Sequence, residues 1–200
     1  MRKLTIAVFV IALLLLFSLA WSPRDFLTRR LAADLIARSN AFKTPQQFWM
    51  RTGILSNSEY LSAEYLALQR KGWISATSAP CPPNMAQPCW DVVLSPSGVE
   101  TIRALVAPSE AEKPAFSVQV AKRDLVAITG VGKQGNFADV EFIWKWTALN
   151  ELGAALYPND QHYRSTVEFR DFDDGWRVLQ STPHFGQPLD DALKNSEPAQ

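Results

Sequence analysis

The sequence predicts an α+β protein, with helices in its first half and an antiparallel sheet in its second. Up to about residue 107 the apolar side chains recur at helical spacing, and beyond it they alternate with a period of two. A stretch rich in proline and charge, 107–115, separates the two patterns and predicts a linker. The 200 residues suffice for one or two small domains, and a hydrophobic content of 47% suffices for a packed core.

The charge and cysteine content excludes several classes of protein. Lys and Arg total 20 and Asp and Glu total 20, so the basic excess typical of a nucleic-acid-binding protein is missing. Two Cys cannot form a four-Cys zinc site, and the two His lie far apart. We therefore expect no metal site, no cofactor and no catalytic residues.

A basic start, Met1-Arg2-Lys3, precedes an uncharged apolar run of 18 residues, 4–21. A signal peptide cleaved after Ala20 fits the small residues Ser18 and Ala20. A membrane-spanning anchor fits the length of the run, with Trp21 at the interface. Residues 1–22 are thus predicted to be a signal anchor or a signal peptide. We favour the anchor because Trp21 would make a bulky new N-terminus, and a buried core helix is the least favoured interpretation.

The orientation of the anchor depends on which signal dominates. Two positive residues precede the run and four arginines follow it, which by a literal positive-inside count would place the body in the cytoplasm. We favour export, because a basic start before one apolar run is the usual export signal and because the cysteine pair described below fits an oxidising compartment. The predicted location is the cell envelope, either anchored in the inner membrane with the body outside the cytoplasm or exported after cleavage.

Three helices are expected before the first strand of the body. Residues 25–39 carry an apolar stripe and several arginines, so this helix could lie on a membrane surface, although packing against its own domain is favoured. Residues 44–53 are predicted to form a short helix with Pro45 in its first turn. A third helix is expected from residue 57 or 58 to Lys71, with Gly72 as its stop.

Short strands at 73–76 and 90–94 and a helix from Ser95 to Leu105 complete this half. The pattern ALQRKGWI…CWDVVLSPSGVETI over 44–107 resembles a winged-helix unit. The resemblance implies a helical domain, 24–106, with a two-stranded ribbon. Its recognition helix would offer only Arg70 and Lys71 as cations, which does not favour DNA binding.

The second half, 116–182, is predicted to be an antiparallel β-meander of four or five strands, followed by a flexible polar tail at 186–200. Its last hairpin is expected to turn at Asp174-Gly175, with Asp173 opposite Trp176. This arrangement places an apolar set on one face, namely Val167, Phe169, Trp176 and Val178. The segments VEFIWKWTALNELG and FRDFDDGWRV, within 125–179, resemble uncharacterised exported bacterial proteins, a resemblance that implies no activity.

Cys81 and Cys89 lie eight residues apart with three prolines between them, so the loop can bend back on itself. We predict a disulfide, which stabilises the fold by about 2–3 kcal/mol at most for so short a loop. The spacing does not suit a redox-active pair, which usually lies two residues apart at a helix start.

Three further motifs are interpreted as structural. His162 near Asp160, like His184, has no recognisable nucleophile beside it. The aspartates 171, 173 and 174 suit a hairpin turn better than a cation site. The glycines 130, 132 and 135 precede a strand rather than a helix, so they indicate a turn and not a phosphate-binding loop.

Trp144, Trp146 and Trp176 fall on predicted sheet faces. Core packing is the favoured interpretation, and an aromatic-lined groove for an unspecified small molecule is the alternative. The leading hypothesis is a non-catalytic envelope protein that binds or supports a protein partner. The alternatives are a membrane-tethered regulator that uses the winged-helix-like region, and a small hydrolase or ligand-binding enzyme with an aromatic pocket.

Overall fold

A computed structural model describes residues 26–106, 113–158, 160–179 and 188–199. They form helices and antiparallel sheets, which confirms the α+β class. The predicted leader, 1–22, and most of the predicted linker, 107–115, lie outside these residues and stay predictions. Within the described ranges, no helix combines the length and the apolar content needed to span a bilayer.

Short helices and longer strands make up the described chain. The α-helices are α1 Arg29–Ala37, α2 Asn40–Lys43, α3 Asn57–Tyr60, α4 Ala63–Arg70, α5 Pro96–Gly98, α6 Glu151–Leu156 and α7 Leu189–Lys194, and a π-helical segment Val99–Arg103 follows α5. The strands are β1 Gln46–Arg51, β2 Gly53–Ser56, β3 Ile74–Ala79, β4 Cys89–Leu94, β5 Ala115–Gln134, β6 Phe137–Ala148, β7 His162–Phe172, β8 Gly175–Val178 and β9 Glu197–Pro198.

The strands form two sheets. The larger has the order β1-β5-β6-β7-β8, with β9 pairing β7, so strands β5 to β8 follow one another as a meander. The smaller has the order β2-β4-β3, which adds a third strand, β2, to the predicted two-stranded ribbon.

The chain divides into two compact units. Unit 1 holds the described parts of 1–39, 127–143 and 164–197, and unit 2 holds those of 40–126, 144–163 and 198–200. Strands β5, β6 and β7 therefore each contribute to both units.

Unit 1 buries one face of its strands together with two helices. Thr28 begins α1 by accepting a hydrogen bond from the backbone of Leu31 at 3.1 Å, and the helix buries Ala32 and Ile36. Burial of apolar surface of this kind is the main source of stability. The remaining buried apolar side chains are Leu27, Ala138, Val140, Phe142, Val167, Phe169, Trp176, Leu189, Ala192 and Leu193.

Unit 2 packs its helices against β1, β5 and the smaller sheet. Its core consists of Phe48, Met50, Leu55, Tyr60, Tyr65, Leu68, Ile74, Val92, Ile102, Phe116, Val118, Val120 and Leu152. The Tyr65 hydroxyl accepts a hydrogen bond from the backbone N–H of Arg51 at 2.7 Å and donates one to its carbonyl at 2.9 Å. Burial raises the pKa of this hydroxyl, and the bond from Arg51 only partly offsets that effect.

The helix predicted at 44–53 is wrong, because residues 46–51 form β1. Phe48 and Met50 are buried while Trp49 and Arg51 are exposed, which is the alternation of a strand. Pairing of Trp49 with Ser117 on β5 supplies hydrogen bonds that the local Thr-Pro signal could not indicate. The single helix predicted at 57–71 consists of two helices, because Ser62 caps the start of α4. The stop at Gly72 is as expected, and this residue has a φ of 72°.

The last hairpin turns one residue earlier than predicted, at Asp173-Asp174. Phe172 pairs with Gly175 and Asp171 with Trp176, so the expected register is wrong by two residues. A shift of two preserves the faces, and Val167, Phe169 and Trp176 are buried as predicted. Gly175 has a positive φ of 115°, whereas Asp173 and Asp174 do not have positive φ.

The segment expected to be a flexible tail is ordered at 188–199. Residues 189–194 form α7, which buries Leu189, Ala192 and Leu193. These three positions follow the i, i+3, i+4 spacing of one helix face, which the surrounding polar residues obscure. The end of the chain then pairs with β7 through β9.

A substitution of Gly153 in α6 can test the packing of unit 2. A Cβ atom at this position would lie 1.8 Å from the carbonyl oxygen of Val120, a backbone atom that also accepts a bond from Leu149. We expect Gly153→Ala to lower the free energy of unfolding by about 3 kcal/mol or more, because the backbone must move. Denaturant unfolding measures this loss.

Gly130→Ala is the matched control. The nearest atom to its Cβ would be a side-chain oxygen of Glu141 at 3.4 Å, an ordinary contact. We expect a change within about 0.5 kcal/mol. Equal effects of the two substitutions would contradict the close approach of α6 to β5.

Candidate functional site

Two of the three tryptophans singled out from the sequence lie together in unit 2. Trp144 and Trp146 on β6 contact each other edge to face, with centroids 5.4 Å apart. Tyr163 stacks on Trp144 at 4.7 Å, and Tyr157 lies 4.8 Å from Trp146. We call these four rings with the guanidinium of Arg123 the aromatic cluster.

Arg123 on β5 connects the two indoles of the aromatic cluster. Its guanidinium carbon lies 4.5 Å from the centroid of Trp146 and 5.6 Å from that of Trp144. Its Nη1 also donates to the carbonyl of Ala41 at 2.9 Å. Cation–π contacts of this kind are worth about 0.5–2 kcal/mol, depending on how far the cation is desolvated. Arg123 thus attaches the cluster to the segment before β1.

The ring faces of the cluster are largely occupied by its own members. Trp144 is only 2% exposed, and Trp146 is partly buried. Burial raises the pKa of both Tyr157 and Tyr163, and at Tyr157 the charge of Glu64 adds to this while Arg123 opposes it. A ligand would have to displace these contacts to stack on Trp144, so the geometry fits packing better than binding.

Trp176 belongs to unit 1 rather than to the aromatic cluster. It is 4% exposed, and the Lys133 ammonium lies 5.0 Å from its ring centroid. Its Nε1 is buried and has no hydrogen-bond acceptor among the described residues. The idea that the three tryptophans face a ligand stays a prediction.

The disulfide predicted between Cys81 and Cys89 is present, with Cα atoms 5.3 Å apart. Cys89 is buried at the start of β4, where it pairs with Ser56 on β2 and Ala79 on β3. The next residue, Trp90, donates from Nε1 to Asn57 at 3.0 Å. The bond therefore closes the 80–88 loop onto the smaller sheet.

A shallow groove of about 710 Å³ lies on unit 1 near the turn between β5 and β6. Asp139 and Glu168 line it, together with Phe137 and other residues in and beside the glycine-rich turn. One carboxylate oxygen of Glu168, Oε1, is buried without a hydrogen-bond donor among the described residues. Burial raises the pKa of Glu168, the charge of Asp139 raises it further, and Arg170 opposes them.

The remaining sequence motifs occupy structural positions. Gly135, at φ 61°, and Asn136 form the turn of the β5–β6 hairpin, as expected from the glycine spacing. Asp174 forms an ion pair with Arg177, and Asp173 lies beside it in the turn. His162 begins β7, where its carbonyl accepts a bond from Ala199, while His184 lies outside the described residues.

Sequence reasoning missed the aromatic side chains that remain exposed. Trp49 is 70% exposed, although tryptophan is usually largely buried. Phe137 and Phe172 are also exposed, and the guanidinium of Arg170 lies over both rings, at 5.4 and 5.3 Å. Along β7, Arg170 and Phe172 fall on the face opposite to the buried Phe169, so the period of two could have identified Phe172 as exposed.

Glu168 provides a pH-dependent test of the groove. Because its pKa is raised in the folded state, the carboxyl contributes most to stability when protonated, and that contribution is lost as the pH rises through the folded pKa. Glu168→Gln should therefore raise the melting temperature near neutral pH and have no effect at a pH below the ordinary glutamate pKa. Thermal unfolding monitored by circular dichroism measures both.

Glu141→Gln is the control for charge removal on the same sheet, because Glu141 pairs with Arg164 at 3.2 Å. It should not raise the melting temperature. A lower melting temperature of Glu168→Gln at neutral pH would show that the charged carboxylate is well solvated or paired.

Comparison with protein-family models, with curated proteins and with solved structures finds no match for this chain. Its function therefore has to be inferred from its own residues and contacts.

Proposed function

We propose that this chain is a non-catalytic protein of the cell envelope, anchored in the membrane by residues 4–21 or exported after cleavage, that binds or supports a protein partner. The observation that carries the proposal is the Cys81–Cys89 disulfide. Structural disulfides persist in oxidising compartments and are rare in the cytosol. The bond thus supports a body that lies outside the cytoplasm.

The surroundings of the disulfide favour a structural role over a redox role. Cys89 is 1% exposed and lies within a strand rather than at a helix start. Reactive cysteines usually lie in accessible positions that lower the thiol pKa.

The contacts of Asp124 suit a structural role for this carboxylate. Burial would raise the pKa of Asp124, but hydrogen bonds from Thr147 and Lys122 outweigh it, so the pKa is lowered. The hydroxyl of Thr147 donates to this carboxylate at 2.5 Å, and Lys122 lies 3.2 Å from it. Such pairing stabilises the charged form of the carboxylate and fixes its position between neighbouring strands, which suits a structural role rather than proton transfer.

The partner surface that we propose is the exposed face around Trp49 on β1. Tryptophan is one of the side chains that are enriched among the residues that dominate protein–protein binding energy. Its neighbours are polar: Ser117 pairs with Trp49 across the sheet and donates to Gln47 at 2.6 Å. A single large ring on a polar face suits a reversible contact.

The free edge of β1 is less suited to pairing with another strand. Tyr65 bonds both the N–H and the carbonyl of Arg51, and the amide of Gln46 donates to the carbonyl of Gln47 at 3.1 Å. Protected edges of this kind discourage strand addition. The partner would therefore contact the indole of Trp49 rather than extend the sheet.

We further propose that residues 44–107 form a winged-helix-like unit that serves protein contacts. The order β2, α3, α4, β3, loop, β4 and the strand order β2-β4-β3 support the resemblance. Helix α4 carries Glu64 in its first turn and Arg70 in its last, so it lacks the basic stripe that a DNA-binding helix needs.

The location is tested with cysteines engineered into the full chain. Thr166→Cys, at an exposed position of β7, should react with a small maleimide that cannot cross the inner membrane in intact cells. Lys3→Cys, ahead of the apolar run, should react only after lysis if the leader is an anchor. Intact mass with alkylation reports cleavage after Ala20 and the state of the native thiols.

Labelling of Thr166→Cys only after lysis, together with free thiols at positions 81 and 89, would place the body on the reducing side and overturn the location. Loss of residues 1–20 from the mature mass would instead support the exported form.

The partner surface is tested with Trp49→Ala. A photoreactive side chain at position 49 identifies the contacting protein in cells, and binding to that protein is then measured with purified components. Trp49→Ala should weaken binding at least about tenfold, the effect of losing about 1.4 kcal/mol, because the ring is an anchor. The melting temperature should not change, because the ring is exposed.

Leu61→Ala is the control, since Leu61 is another exposed apolar side chain of unit 2, at 49%. It should leave the affinity unchanged. Equal affinities of Trp49→Ala and the unmodified protein would remove β1 as the partner surface.

A further inference from the structure

We propose that one end of unit 1 contacts the surface of the bilayer that holds the leader. This inference rests on the proposed anchoring by residues 4–21. The contacting side chains, which we call the tip surface, are Phe26, Lys133, Phe137, Arg170, Phe172 and Arg177. All of them belong to unit 1.

The tip surface lies where two hairpins end side by side. Strands β5 and β6 turn at Gly135-Asn136, and β7 and β8 turn at Asp173-Asp174. The backbone N–H of Asp171 donates to the carbonyl of Asn136 at 2.8 Å, which holds the two turns next to each other.

Three phenylalanine rings are exposed at this end. The exposed fractions are 61% for Phe26 and 39% each for Phe137 and Phe172. Water-exposed apolar surface is unfavourable, so exposed rings at one end suggest a surface that covers them. The interface of a bilayer accepts aromatic rings readily.

Cations accompany each of these rings. The Lys133 ammonium lies 5.6 Å from the centroid of Phe26, and the guanidinium of Arg177 lies 5.1 Å from that of Phe172. Arg170 contacts the rings of Phe137 and Phe172. Long cationic side chains beside aromatic rings can place their charge among lipid phosphates while their stems and the rings stay in less polar surroundings.

The length of chain between the leader and Phe26 indicates which surface covers the rings. Only four residues separate Trp21 from Phe26, and the five steps between them in a fully extended chain cover at most about 3.6 Å each, or roughly 18 Å in all. An anchor that ends at Trp21 therefore keeps Phe26, and Lys133 beside it, close to the headgroups.

The contact should depend on the rings rather than on net charge. Three cations of the tip surface, Lys133, Arg170 and Arg177, are matched by Asp171, Asp173 and Asp174 of the β7–β8 hairpin, and two further carboxylates, Asp139 and Glu168, line the groove beside Phe137. Arg177 and Asp174 form an ion pair. Since attraction to anionic lipids needs an excess of positive charge, the contact should occur on zwitterionic lipid as well.

The test uses the full chain in nanodiscs that contain a tagged phosphatidylcholine, with and without phosphatidylglycerol. A photoreactive p-benzoylphenylalanine replaces Phe137 or Phe172 in separate variants. The control replaces Thr166, an exposed residue on β7 about 20 Å along the strand from Phe172. A variant at Phe17, inside the apolar run, reports whether the leader lies in the bilayer.

We expect lipid adducts at positions 137 and 172 to exceed those at 166 several-fold, with equal yields in the two lipid mixtures. Adducts at position 17 without an excess at 137 and 172 would overturn the tip surface and leave the anchor intact. Failure to label lipid at position 17 would overturn the anchor, and the tip surface with it. An intact Cys81–Cys89 bond and unchanged melting temperatures show that each variant is folded.

Discussion

Both compact units depend on the long hairpin of β5 and β6. The early part of β5 buries Phe116, Val118 and Val120 in the core of unit 2. Farther along the hairpin, Val140 and Phe142 of β6 are buried in unit 1. The backbone groups of these strands need partners on both sides, and β1 and β7 supply them. The two cores are therefore built on the same pair of strands, and each is completed by different helices.

The functional interpretation depends on how the aromatic side chains are distributed. Trp144 and Trp176 are buried, and the faces of the aromatic cluster are occupied by its own rings and by Arg123. Trp49, in unit 2, is exposed instead, as are the phenylalanines of the tip surface in unit 1. Large exposed rings are more informative about function than buried ones, because packing alone does not explain them.

The disulfide and the exposed rings suggest a division of roles within one chain. The bond fastens the 80–88 loop to the smaller sheet, which carries the winged-helix-like arrangement. We propose that unit 2 offers Trp49 to a protein partner and that unit 1 contacts the bilayer. Such a protein would connect a membrane with a partner and would need no reaction chemistry.

The amino-acid sequence alone was sufficient for features that depend on neighbours along the chain. The helix that became α1, the alternation along β6, the stop at Gly72 and the cysteine pair all follow from local spacing and turn chemistry. The buried face of the last hairpin was also predictable, because a register error of two residues does not change the face.

Only the tertiary structure decided features that depend on distant partners. Residues 46–51 became β1 because β5 offered an unpaired edge, and 189–194 became α7 because Leu189, Ala192 and Leu193 found a core to enter. The same holds for the exposure of Trp49 and the burial of Trp176, which have the same side chain. Burial and strand pairing depend on which distant segment packs against a given segment, and the local spacing of residues does not indicate that segment.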